Sequence, residues 1–230
     1  MSFNPLGNFN PTDVNAVIVT KAKALLAKLP AVSAGAISRI YLHWTVAPFG
    51  CVFGDYNGEA NFQSPEWVLV MTHDPSDNAI GGNNANEASH TWHRNTGAVG
   101  VSISGMTGAT QHDFGPDAVT LAGLDHLCAA AAAFANRYNV DALGTVQNGT
   151  THADDSGNNI STAGEHTILT HAEAANIDGY LCGFTSDPDC RWDLGSFVAL
   201  PAGVALTRAM VAQCGDGLRQ RVHAYKAALA

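Results

Sequence analysis

The segment from Ile37 to Thr45 constrains this chain most, because its apolar and aromatic residues run almost without a break and include a histidine near the end. Such a run reads as a central strand buried on both faces, which in turn requires helices to cover a sheet. His43 then sits at a strand end, where a side chain is held rigidly while still opening onto solvent. Far downstream, Leu169-Thr170-His171-Ala172-Glu173 and Arg191-Trp192-Asp193-Leu194-Gly195 carry a second histidine and a carboxylate. Two neutral imidazoles and one carboxylate form a set that holds zinc and leaves a position open for water. That set predicts metal-assisted hydrolysis.

The rest of the chain supplies the covering elements. Pro11-Thr12-Asp13 offers a helix start, and Val14, Val17, Ile18, Ala22, Leu25, Leu26 and Leu29 recur at helical spacing until Pro30, predicting a first helix over 12–29. Strands are predicted over Trp67 to His73 and Ala98 to Ser104, separated by the polar stretch Asp74 to Ala88, a surface loop at the rim of a cleft. Asp117 to Tyr138 predicts a long helix whose central alanines, Ala129 to Ala133, permit close packing on a sheet. Gln147 to Thr162 reads as a loop, since Asp154 to Asn159 lacks the ligand spacing of a calcium loop. The stretch 204–227 predicts closing helical structure without an evident cap, as one helix or as two broken near Gly215 to Gly217. Strands interspersed with long helices give an α/β layer arrangement, expected as a single domain over 1–230.

Charge and cysteine usage narrow the partners and the setting. The 20 acidic and 11 basic residues leave a net charge of -9, so there is no basic surface to neutralise nucleic-acid phosphates. No apolar run approaches a bilayer span, and Met1-Ser2-Phe3-Asn4-Pro5 lacks the regions of a signal peptide, so no membrane insertion and synthesis in the cytoplasm are expected. Cys51, Cys128, Cys182, Cys190 and Cys214 show no CxxC spacing. Cys182 and Cys190 bracket a turn-rich loop just before Asp193, and are either a disulfide stiffening that loop or two free thiols.

His43-Trp44-Thr45, the segment His90 to Val101, Thr170-His171-Ala172-Glu173 and Arg191-x-Asp193-x-Gly195 follow one another in the order seen in zinc-dependent N-acetylmuramoyl-L-alanine amidases. Over 37–195 the chain resembles the type 2 amidase and peptidoglycan-recognition-protein superfamily; each piece alone is common, and the ordered combination carries the resemblance. It implies a mixed central sheet flanked by helices, with a cleft over one Zn2+ held by His43, His171 and Asp193 and by water. The implied reaction cleaves the amide between N-acetylmuramic acid and L-alanine in peptidoglycan or muropeptides. The implied setting is a phage endolysin or a wall-remodelling hydrolase, antimicrobial in effect, that reaches the periplasm or wall through a partner pore or secretion system. Oligomeric state is not implied.

Roles carried over with the resemblance are residue-specific. Arg191, two places before the third ligand, stands where relatives more often have lysine, and would stabilise an oxyanion or clamp a stem-peptide carboxylate. Tyr56 is the candidate proton acceptor; Glu173 is the alternative, or else orients a ligand imidazole. Arg94 is a candidate for binding a peptide-stem carboxylate, against a salt bridge to a loop acid. Trp44 and His90 are substrate-binding candidates, His90 as cleft wall, though tryptophans in such positions more often pack in cores. Two departures bear on the third ligand. The interval between His171 and Asp193 is long, which leaves Asp187, Asp189 and Cys190 as competitors, and Leu194 replaces the proline that commonly follows the ligand. His73, His112, His126, His152, His166 and His223 have no supporting frame and read as surface or packing residues. Two other classes stay open: a non-catalytic peptidoglycan-binding module on the same fold, and a cysteine hydrolase using Cys51, Cys128 or Cys182.

Overall fold

The apolar run around His43 forms β1 (Arg39–Trp44), and all six of its residues are buried. It lies between two parallel neighbours, β4 (Ala98–Ile103) and β7 (Ile168–Thr170), so both of its edges are hydrogen-bonded. The computed structural model describes residues 3–153, 158–179 and 191–230. Beyond β4, the strand β2 (Gly58–Gln63) adds in parallel and β3 (Glu66–Met71) closes the sheet antiparallel, giving the order β3-β2-β4-β1-β7. The sheet is therefore mixed, with helices packed against it.

Side-chain alternation gives the sheet two different faces. Ile40, Leu42 and Trp44 of β1 and Val99, Val101 and Ile103 of β4 enter an apolar core shared with the helices α1 (Ala16–Leu26), α3 (Leu121–Arg137) and α5 (Arg208–Ala228). Ala129 to Ala133 are fully buried there, and their small side chains let α3 approach the strands closely. The other face carries Tyr41, His43, Glu59, Asn61 and Ser102, all buried, and meets the short helix α4 (His171–Asp178) through a small cluster of Tyr41, Ala98, Leu169 and Ala174.

Several local expectations are corrected by the chain's own hydrogen bonds. The first helix is capped by Asn15, whose side chain accepts from Val17 N, so the start at Pro11 to Asp13 is too early. The closing segment is one helix with Thr207 as its N-cap, unbroken at its glycines. Gly215 is required there by contact: a Cβ would stand 2.2 Å from the Glu173 carboxylate. The polar stretch after β3 contains a short helix, α2 (Pro75–Asn78), and buried Asn78 pins the loop by bonding both the amide and the carbonyl of Ala88. The predicted loop over 147–162 contains a hairpin of β5 (Thr151–Ala153) and β6 (Asn159–Ser161). Among the described residues, no helix is long and apolar enough to cross a membrane.

Candidate metal centre

β1 delivers His43 at its C-terminal end, and β7, its parallel neighbour, ends at Thr170, so the next residue, His171, emerges at the same end of the sheet. Thr170 caps α4 in a capping box with Glu173, which fixes His171 as the first helical residue. Asp193 arrives on a turn closed by Gly195 N donating to Trp192 O at 2.8 Å. Its backbone carbonyl accepts from Ala172 N in the first turn of α4 at 3.3 Å, so the segment bearing the carboxylate is tied to the helix bearing the imidazole. Behind the site, Trp192 packs edge-on against Trp44 with ring centroids 4.6 Å apart, coupling the neighbours of Asp193 and His43.

The three side chains offer ligand atoms all within 4.8 Å of one another. His171 Nδ1 lies 3.1 Å and His43 Nδ1 3.6 Å from the same oxygen, Asp193 Oδ2. A tetrahedral divalent ion with bonds of about 2.0–2.2 Å places its ligand atoms roughly 3.3–3.5 Å apart, so these spacings bracket the requirement. His43 Nδ1 is buried with no hydrogen-bond partner, as expected of a nitrogen whose lone pair serves an ion. The donor set and the spacing fit one metal ion.

Electrostatics favour the ligand protonation states. Burial, helped by the proximity of His171, pushes the His43 imidazole down to about 4, so it is neutral at physiological pH. Burial raises Asp193, but the charge and hydrogen bond of His171, and then the nearby His43 ring, outweigh it and hold the carboxyl well below the usual range. Side-chain exposure is 1% for His43, 8% for Asp193 and 15% for His171, so His171 marks the open side of the centre. A cavity of about 640 Å3 lined by Ile37, Ser38, Tyr138 and Asp141 lies beyond the other end of β1 and includes none of these ligands.

Comparison with protein-family models and with curated proteins finds no match.

The remaining predicted residues divide sharply. Tyr56 is at the centre, its ring 5.2 Å from that of His43, with its hydroxyl donating weakly to Trp44 O at 3.4 Å. Burial, and next the charge of Asp193, hold its phenol well above the ordinary range, so it carries its proton at neutral pH. Arg191 is half-buried, two residues before Asp193. Arg94 is not at a surface. All five of its N–H donors are used: Nε and Nη2 on Asp178, Nη1 and Nη2 on Glu165, and Nη1 on the Tyr41 hydroxyl. With no donor left for a stem-peptide carboxylate, its role is structural. Trp44 is 3% exposed and faces Trp192 and Phe114, which makes it core and not a substrate platform.

Glu173 is likewise engaged elsewhere. Both of its oxygens accept from Arg219 of α5, and Oε2 also accepts from Thr170 N, so none of its hydrogen bonds reaches an imidazole. It holds α4 in place instead of exchanging protons. His90 is buried behind His43, its Nδ1 3.0 Å from Thr91 Oγ1, and so forms an inner wall of the site. Sequence reasoning passed over Thr91, whose hydroxyl lies 3.1 Å from His43 Nε2; its place directly after His90 in the resembling segment was the available signal.

Leu194 stands in the turn directly after Asp193. Its φ is +62°, which a proline ring cannot adopt, and its complete burial offsets a left-handed cost of about 1–2 kcal/mol. Asp187, Asp189 and Cys190, together with the Cys182 to Cys190 pairing, lie outside the described residues. Cys128 and Cys214 are free and buried, and burial pushes both thiols far up, which removes them as nucleophiles.

Proposed function

We propose that this chain is a zinc hydrolase that cleaves the amide between the lactyl group of N-acetylmuramic acid and L-alanine in peptidoglycan, acting at the wall as an endolysin or a remodelling enzyme. The observation that carries this reading is the convergence of His43, His171 and Asp193, three residues distant in sequence, onto ligand atoms within 4.8 Å. Their order resembles that of the amidase motif, from which Arg191 and Leu194 depart, and that resemblance supplies the substrate class. Zinc held by such a set lowers the pKa of a coordinated water to about 7 and polarises an amide carbonyl.

The chain's own groups supply the rest. Asp193 brings one negative charge and the imidazoles none, so the ligand set leaves a bound divalent ion net positive and attractive to a carbonyl oxygen. His171, the most exposed of the three, sets the side from which substrate approaches. The Tyr56 phenol stands beside His43 as a donor for the reacting amide, and Arg191 contributes a cation next to Asp193 for the developing oxyanion or a stem-peptide carboxylate. At a net charge of -9 the chain gains no long-range attraction to an anionic wall, so recognition rests on short-range contacts at the site.

Metal analysis of the purified protein, combined with mass spectrometry of digested peptidoglycan, tests the reading. The natural protein should contain zinc and release intact stem peptides from muramic acid, whereas His171→Ala should lose both properties. Zinc without peptide release would make the chain a binding module. Shortened peptides still joined to muramic acid would overturn the bond assignment, and inactivation by a thiol reagent but not by a chelator would overturn the metal mechanism.

A further inference from the structure

We infer that Thr91 and His90 form a hydrogen-bonded relay that fixes the tautomer and ring orientation of His43, so that its Nδ1 lone pair faces the metal position before any metal arrives. This rests on the metal reading above and extends it to two residues that touch neither metal nor substrate. Thr91 Oγ1 lies 3.1 Å from His43 Nε2 and 3.0 Å from His90 Nδ1, and both Thr91 and His90 are buried. A threonine hydroxyl has one proton to give. Binding a cation through Nδ1 requires the neutral His43 ring to carry its proton on Nε2, which donates to Thr91. The Thr91 proton is then directed to His90 Nδ1, and His90 carries its own proton on Nε2. Two polarities satisfy both contacts, and this one leaves the unpartnered His43 Nδ1 free to accept a metal, whereas the reverse places its proton there.

In the opposite tautomer an Nδ1 proton on His43 would point toward Asp193 Oδ2, 3.6 Å away. The relay thus opposes a local attraction that would block the ligand nitrogen. The fold also makes room for it. His90 packs on β4 against Gly100, where a Cβ would stand 2.4 Å from the ring, so a glycine at that register position leaves room for the imidazole. A second tie positions the hydroxyl: Thr91 N donates to Asn95 Oδ1 at 2.7 Å, which closes the loop that carries it.

Thr91 and His90 are positioning residues, and nitrogen NMR of the imidazoles in metal-free protein at neutral pH reads their effect directly. In the natural protein, His43 and His90 should both show a protonated Nε2 and an unprotonated Nδ1. Thr91→Val, which keeps the shape and removes the hydroxyl, should shift His43 toward the Nδ1-protonated form and weaken binding of Zn2+ by about 10–100-fold in chelator competition. Thr91→Ser should restore both. An Nδ1-protonated His43 in the natural protein, or a Thr91→Val protein with unchanged tautomer and Zn2+ affinity, would overturn the relay. The natural protein's spectrum needs no variant, so it remains decisive if Thr91→Val does not fold. If the natural protein binds no Zn2+ while its His43 tautomer still depends on Thr91, the relay stands and the metal reading is the one that fails.

Discussion

Neighbouring residues of β1 meet two unlike environments. Ile40, Leu42 and Trp44 enter the apolar core under α3, where any side chain of suitable volume and shape makes the same kind of contact. Tyr41 and His43 enter a buried polar layer in which Arg94, His90, Thr91, Asp193 and Glu165 each have assigned partners. The apolar face supports the fold through area and density. The polar face gains little net stability from its bonds and depends on every one being made, because a buried group without its partner costs more than the bond contributes. That asymmetry is what allows one sheet to be both scaffold and site.

The largest expected effect falls on the polar face and on function. Asp193→Ala should weaken Zn2+ binding well beyond the roughly 10–100-fold typical of an outer partner, and abolish hydrolysis. Its metal-free unfolding midpoint should shift less than that of the core variant described below, since the replacement removes a buried charge along with its contacts. Calorimetric Zn2+ titration and a thermal melt on the same sample check both halves; a large stability loss with metal binding intact would reverse the division between the faces.

Next comes the ionic part of the polar layer. Arg94→Met leaves Asp178 and Glu165 without their shared cation and should destabilise by about 3–5 kcal/mol in urea unfolding. Below the melting transition the variant should keep its Zn2+ affinity and its KM. A KM rise without a stability loss would return Arg94 to substrate binding. On the apolar face, Leu124→Ala, fully buried on α3, should cost about 2–5 kcal/mol through transfer and cavity terms, again with Zn2+ affinity unchanged.

The same asymmetry explains what could be read from the chain. β1, β4, α1 and α3 were legible because continuous or periodic apolar residues mark elements that touch the core. β2 was not, since its sequence Gly-Glu-Ala-Asn-Phe-Gln places Glu59 and Asn61 in the polar layer, where burial leaves no hydrophobic trace. β7 is three residues long, too short to show a period. His43, His171 and Asp193 were legible through their ordered frame, and the structure brings them together. Arg94 was read as a site residue because it is the only basic residue between Arg39 and Arg137, and Glu173 because it lies two places beyond His171. Their carboxylate and guanidinium partners, Asp178 and Arg219, sit on elements whose proximity only the fold creates.

Acid separates the faces without any substitution. His43 and His90 have folded-state pKa values depressed by burial, His43 to about 4, so the unfolded chain binds their protons first. Asp193, also depressed, acts with the same sign at lower pH. The stability held through these groups is therefore complete above about pH 6.5 and falls as pH drops toward 4, by up to about 1.4 kcal/mol per pH unit for each imidazole. Urea unfolding of the metal-free protein at pH 7, 6, 5 and 4.5 checks this slope. A stability that stays flat over that range would mean that neither imidazole is buried neutral.

The smallest effect compares one residue type in two settings. Thr207 is exposed and accepts from Met210 N at 3.2 Å as the N-cap of α5, whereas Thr91 is buried between two imidazoles. When the Thr207 hydroxyl is removed, water can reach the freed amide, so Thr207→Ala should cost about 1 kcal/mol and leave Zn2+ binding unaltered. Thr91→Val removes a hydroxyl that water cannot replace, and its consequence should appear in the His43 tautomer and the metal affinity. Equal stability losses and equal metal affinities in the two variants would show that burial does not set the worth of a hydroxyl here, and that the polar face is no more exacting than the surface.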